Sequence, residues 1–175
     1  SSDLLRTRNR LYPGDLYKGV FWIDNPKLIY LGMQDQYYTF NMFDAQAWYA
    51  RDVILGRIAL PTTAAMRADS EAWLAREEAT TSAEQDIDFQ TEYVRDLLDA
   101  TDYPDFNVEA VATLFKQWKH DKKEDILGYR NYSYRSVLTG TLAPLHHTPW
   151  MQAMDDSLEA FLADSVIEEQ PRRIA

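Results

Sequence analysis

Two runs rich in β-formers open this chain, and nearly everything after them carries helical periodicity. Residues 16–23, Leu16-Tyr17-Lys18-Gly19-Val20-Phe21-Trp22-Ile23, read as a strand. Asp24-Asn25-Pro26 makes a turn. Residues 28–32, Leu28-Ile29-Tyr30-Leu31-Gly32, read as a second strand, short and apolar on both faces. Two strands do not make a stable sheet by themselves. Either the helices cover them as one small α+β unit, or they complete a sheet whose other strands lie outside this chain. A strand apolar on both sides wants neighbours on both sides, which favours the second reading.

The helices carry their own punctuation. Phe43, Ala47, Ala50 and Ile54 fall at helical spacing, with Asn41 or Asp44 available as a cap and Gly56 as a stop. Pro61-Thr62-Thr63 opens a second helix, and Ser82-Ala83-Glu84-Gln85 has the spacing of a capping box for a third. Asp102-Tyr103-Pro104-Asp105 interrupts it. Asn107 caps a fourth helix carrying Val111, Leu114, Phe115 and Trp118, which fades in the charged run 119–125. Residues 128–147 read as irregular or extended, and Thr148-Pro149 starts a last helix. The expected organisation is a strand-and-helix part over 1–60, a helical region over 61–165 and a loose, charged tail over 166–175.

Composition removes several classes of function. The formal charge of −10 disfavours a nucleic-acid partner. No cysteine is present, so disulfides, thiolate metal sites and a cysteine nucleophile are excluded together, which fits a reducing cytoplasm. No apolar run approaches the roughly 18–20 residues of a membrane span, and Ser1-Ser2-Asp3-Leu4-Leu5-Arg6 lacks the apolar core of a signal peptide. The absent initiator methionine suggests a chain that begins inside a longer one.

The stretch from Leu28 to Arg51 carries the most chemistry: an apolar run, then Gly32-Met33-Gln34-Asp35-Gln36-Tyr37-Tyr38-Thr39-Phe40, then a helix. Ligands of open α/β sheets sit beyond the carboxyl ends of strands. A helix N-terminus there offers free N–H groups and positive charge. Gly32 permits close backbone approach, and Gln36 and Thr39 offer donors and acceptors. The plainer alternative is an ordinary strand-to-helix turn with polar capping.

Longer runs point further. Leu16-Tyr17-Lys18-Gly19-Val20, Asp24-Asn25-Pro26-Lys27, Gly32-Met33-Gln34-Asp35-Gln36 and Phe40-Asn41-Met42-Phe43-Asp44-Ala45-Gln46-Ala47-Trp48-Tyr49-Ala50-Arg51-Asp52 closely resemble the C-terminal part of bacterial flavin-containing monooxygenases. So do Trp118-Lys119-His120, Ser133-Tyr134-Arg135-Ser136, Leu138-Thr139-Gly140-Thr141 and His146-His147-Thr148-Pro149-Trp150. The resemblance covers about residues 11–162.

The resemblance implies an α/β parent fold with two dinucleotide-binding parts, one for FAD and one for NADPH. This chain would be a mostly helical C-terminal segment whose strands complete the sheet of the FAD domain. It implies an enzyme in which NADPH reduces the flavin, oxygen adds to it, and the hydroperoxide oxygenates a nucleophilic nitrogen or sulfur, with a small amine as the expected substrate. The family's flavin contacts fall on Gln36 and Thr39. Asp35 and Tyr37 lie near where substrate and nicotinamide would meet, although the family often has tryptophan at the position of Tyr37. Trp118 matches an aromatic residue lining the approach to the flavin.

One departure is plain: the family's two glycine-rich loops are absent. The chain has only six glycines, none forming G-x-G-x-x-G. Both cofactors would need the remaining N-terminal part of the enzyme as a partner, and the segment alone is expected to be inactive.

Other candidates carry less. Adjacent His146 and His147 point in different directions, and neither they nor His120 have a further ligand at metal-binding spacing, so no metal is expected. No Gly-x-Ser-x-Gly elbow accompanies His and Asp. Lys116, Lys119, Lys122 and Lys123 read as a solvated basic face, with the 2′-phosphate of NADPH as the alternative. A different class of reading remains: a stand-alone helical interaction module, or a folded, inactive homo-oligomer in which copies pair or swap strands.

Overall fold

The computed structural model describes residues 10–104, 106–137 and 139–142. The expected helix after Thr148-Pro149, the charged tail and the pair His146-His147 lie outside the described residues. The chain forms two compact units, Ser1–Phe115 and Lys116–Ala175.

The first unit begins with an antiparallel hairpin of β1 (Leu16–Tyr17) and β2 (Phe21–Trp22), in which Leu16 faces Trp22 and Tyr17 faces Phe21. The single strand expected over 16–23 is thus folded back on itself. Its middle supplies the turn: Lys18 has φ 52° and Gly19 φ 65°, both left-handed. A Cβ on Gly19 would lie 2.6 Å from Gln34 Nε2 and Tyr93 Oη, so no side chain fits there.

The second apolar run is also shorter than expected. Ile29 bridges Phe21, the Trp22 N–H donates to Leu28 O (3.1 Å), and the Tyr30 N–H donates to Val20 O (2.9 Å). The run lies along the free edge of β2 and then leaves it at Gly32, whose φ is 73°. It is not buried on both faces here: Leu28 and Leu31 are 38% and 48% exposed.

Four helices follow: α1 (Phe40–Ile54), α2 (Thr63–Glu78), α3 (Ala83–Asp99) and α4 (Val108–Glu124). Thr62, Ser82 and Asn107 cap α2, α3 and α4 by accepting the N–H of Ala65, Gln85 and Ala110, as their spacing predicts. The Gln85 side chain reaches the Thr81 N–H (2.7 Å), one residue earlier than a capping box would place it. Gly56, at φ 70°, follows the end of α1. The start of α1 differs from expectation: Thr39, not Asn41 or Asp44, holds the cap position, and its side chain makes no cap bond.

α2 packs on β1, and α3 packs on both α1 and α2, so packing continues across residue 60. Aromatic rings fill the junction. Tyr12 stacks on Trp73 at 5.7 Å, and Tyr93 meets both edge-on at 5.8 Å. Val94 and Leu97 of α3 are buried in the same cluster.

The described part of the second unit holds the later turns of α4, a 3₁₀ turn (Tyr129–Asn131) and a bridge between Arg135 and Leu142. Tyr134 Oη donates to the Asp121 carboxylate. Among the described residues no helix is long and apolar enough to cross a membrane.

Candidate functional site

Gly32 to Thr39 form a loop that buried polar side chains hold by its backbone. Gln46, on α1 and fully buried, accepts the Gly32 N–H at 2.8 Å and donates to Gln34 Oε1 at 2.6 Å and to Tyr93 Oη at 2.8 Å. Tyr93 Oη donates in turn to the Lys18 carbonyl (2.8 Å), tying the loop to the hairpin turn. Gln90, on α3 and also fully buried, accepts the Tyr37 N–H at 2.8 Å and donates to the Asp35 carbonyl. The Asp35 N–H donates to Arg10 O (2.8 Å). Tyr38 is buried, and its hydroxyl meets Thr91 Oγ1 (2.7 Å) and donates to Val108 O (3.1 Å). Burial pushes that phenol up to about 12, against a smaller opposite pull from the Thr91 bond.

The loop presents the four residues singled out in this segment differently. Asp35 is exposed, and its carboxylate accepts the Gln36 N–H at 3.0 Å. Gln36 is half-buried, and its Oε1 is buried without a hydrogen-bond partner. Tyr37 is half-buried, its ring 6.4 Å from that of Phe115. Thr39 is exposed and holds the left-handed φ of 41°, a conformation that costs a β-branched residue about 1–3 kcal/mol and leaves the N-terminus of α1 without a side-chain cap. The close approach at Gly32 is to protein: a Cβ there would sit 2.2 Å from the Phe43 ring.

Trp118 belongs to the second unit. It is half-buried, meets Tyr129 edge-on at 6.1 Å, and has Lys122 Nζ 5.1 Å from its ring centroid. Among the described residues no group of three histidine, aspartate or glutamate side chains is placed to hold a metal ion.

Sequence reasoning missed Gln46, Gln90 and Tyr93. The signal was present: Gln90 lies three residues after Ile87 and four before Val94, on the apolar face of α3. A polar side chain on such a face is the informative exception.

No protein-family model matches the chain. It is 64% identical over 157 residues to a trimethylamine monooxygenase of Methylocella silvestris, covering 90% of this chain and 35% of that protein. It is 58% identical over 158 residues to a trimethylamine monooxygenase of Roseovarius sp. strain 217, covering 90% of this chain and 36% of the relative. A flavin-containing monooxygenase of Aspergillus flavus is 32% identical over 84 residues, 48% of this chain and 17% of that protein. Among solved structures, the crystal structure of Tmm from Pelagibacter sp. strain HTCC7211 superposes with a TM-score of 0.80 at 55% identity, over 90% of this chain and 36% of that one.

The chain therefore corresponds to the C-terminal part of a protein of the flavin-containing monooxygenase family. Within that family, it is similar to the trimethylamine monooxygenases of bacteria. It spans little more than a third of the length of the relatives it matches.

Proposed function

We propose that this segment works inside an FAD- and NADPH-dependent enzyme that oxygenates small amines such as trimethylamine to the N-oxide. Its own contribution is the polar corner from Gly32 to Phe40. Residues 1–60 would complete the FAD domain, 61–165 would form the C-terminal helical region, and 166–175 a tail. The glycine-rich loops that cradle the pyrophosphates would come from the rest of the enzyme, working in the cytoplasm.

One observation carries the reading: Gln36 Oε1 is buried and without a partner, within a loop whose backbone Gln46 and Gln90 hold on both sides of it. A buried carbonyl oxygen without a donor is costly. The pyrimidine edge of a flavin offers both an N–H donor and carbonyl acceptors, so a glutamine amide suits it in either orientation. Thr39 adds the uncapped end of α1, where helix N–H groups and the dipole favour the negative charge of a reduced flavin. When bound, the flavin supplies the oxygen-activating chemistry. The residues of this chain would bind and orient it. Asp35, exposed beside Gln36, would lie near where the amine and nicotinamide meet. Tyr37 would limit water beside the loop, and Trp118, by its resemblance, would line the approach to the flavin.

The test is Gln36→Ala and Thr39→Ala in the whole enzyme. Each should lower FAD content or shift the visible flavin band, and reduce trimethylamine-dependent NADPH oxidation by about tenfold, the worth of one lost hydrogen bond to a bound group. Unchanged flavin content, spectrum and turnover in both variants would overturn the assignment.

A further inference from the structure

Gln90 stands outside the residues discussed as flavin contacts, yet its side chain grips the loop backbone at two points. Its amide oxygen takes the Tyr37 N–H at 2.8 Å, and its amide nitrogen gives a hydrogen bond to the Asp35 carbonyl. The two bonded backbone groups flank Gln36. This is the pattern a neighbouring strand uses, with one residue bonding to the positions before and after its opposite number. Here the side chain of a helix stands in for the strand. The orientation of the amide is also fixed, because a backbone N–H only donates and a carbonyl only accepts. Gln90 is fully buried, and Ile87, Phe89, Thr91 and Val94 on the same helix are buried as well, so its amide meets the loop from the protein side.

We propose that Gln90 is a positioning residue for Gln36: it fixes the peptide units on both sides of Gln36 and thereby aims that side chain at the flavin. The proposal rests on the reading of Gln36 given above. Only side chains with an amide at this reach make both bonds, since methionine has similar length and apolar bulk but offers neither.

The experiment uses the whole enzyme with three variants. Gln90→Met removes both bonds at similar volume. Leu97→Ala, a buried position on the same helix, weakens α3 by opening a cavity while leaving the loop bonds in place. Gln36→Ala tests the underlying reading. The readouts are the visible absorbance and circular dichroism of bound flavin on folded, gel-filtered enzyme, the FAD dissociation constant, and KM against kcat for trimethylamine. Gln90→Met should reproduce the flavin spectral change of Gln36→Ala and weaken FAD by about tenfold. Leu97→Ala should melt earlier with an unaltered flavin spectrum. If Gln36→Ala changes the spectrum and Gln90→Met does not, the positioning role is wrong and the flavin contact stands. If Gln36→Ala itself has no effect, the contact is wrong. If Gln90→Met and Leu97→Ala change the spectrum alike, Gln90 is structural only, and the proposal fails.

Discussion

Lys18 sits between two carboxylates that are not equivalent. Its ammonium lies 2.6 Å from Asp96 and 3.8 Å from Asp69, and its side chain is only 12% exposed. Burial pulls the Lys18 pKa down, but the Asp96 bond and the nearby carboxylates outweigh it, and the net direction is up. A raised lysine contributes stability that is fully present below its unfolded pKa and lost as alkaline pH rises through its folded one. Asp69 also goes up, but because burial dominates and Lys18 only partly offsets it. One of its oxygens is buried without a partner. A carboxyl raised by burial favours its neutral form, so at neutral pH ionised Asp69 opposes folding. Asp96→Asn should therefore lower stability by about 1 kcal/mol, the discounted worth of a half-exposed ion pair. Asp69→Asn should leave stability equal or higher. Thermal melts at neutral pH check both, and equal losses would contradict the difference drawn here. None of this was legible in the sequence, because Lys18 meets residues 51 and 78 positions away only once α2 and α3 pack on the hairpin turn.

At the scale of elements, the helices were legible and the strands only partly. Helix signals are local: a capping residue acts on an N–H three positions later, and Thr62, Ser82 and Asn107 each do so. The strand signal is compositional. It marks β-formers at 16–23 but not that the chain turns back at Lys18 and Gly19, where contacts with Gln34 and Tyr93 fix the bend. The start of α1 escaped for a related reason. Thr39 holds its left-handed φ inside a loop anchored by Gln46 and Gln90, which are distant in sequence or on another helix. The candidate site residues at 35–39 were picked out by family resemblance, while the glutamines that hold the loop backbone, Gln46 and Gln90, escaped notice because they meet the loop only in the folded chain. The local rule makes its own prediction. Asn107 accepts the Ala110 N–H at 2.9 Å, and Asn107→Ala should cost about 1 kcal/mol and raise hydrogen exchange in the first turn of α4. Unchanged exchange there would show that the packing of Val108 and Ala112 suffices to hold the helix end.

At the scale of the molecule, the first unit has a well-packed aromatic core and an unfinished surface. Phe40 is 75% exposed at one end of α1, and Ile54 and Leu55 are exposed at the other, about 21 Å away at the helical rise of ~1.5 Å per residue. Leu28 and Leu31 add apolar surface on the loop side. Scattered exposed apolar residues are ordinary, but Leu31 and Phe40 adjoin the corner assigned to the flavin in sequence. The remaining two-thirds of the enzyme is expected to cover them, and the chain by itself to self-associate. The most direct test is the visible flavin spectrum of this chain purified alone and after co-expression with the remaining portion of the Methylocella silvestris relative, with the intact mass of every polypeptide recorded. The account predicts no flavin band and no uptake of added FAD for the chain alone. It predicts about one flavin per assembled pair, with trimethylamine-dependent NADPH oxidation. A chain that binds flavin stoichiometrically and turns over amine alone would contradict it, as would an assembled pair that carries no flavin.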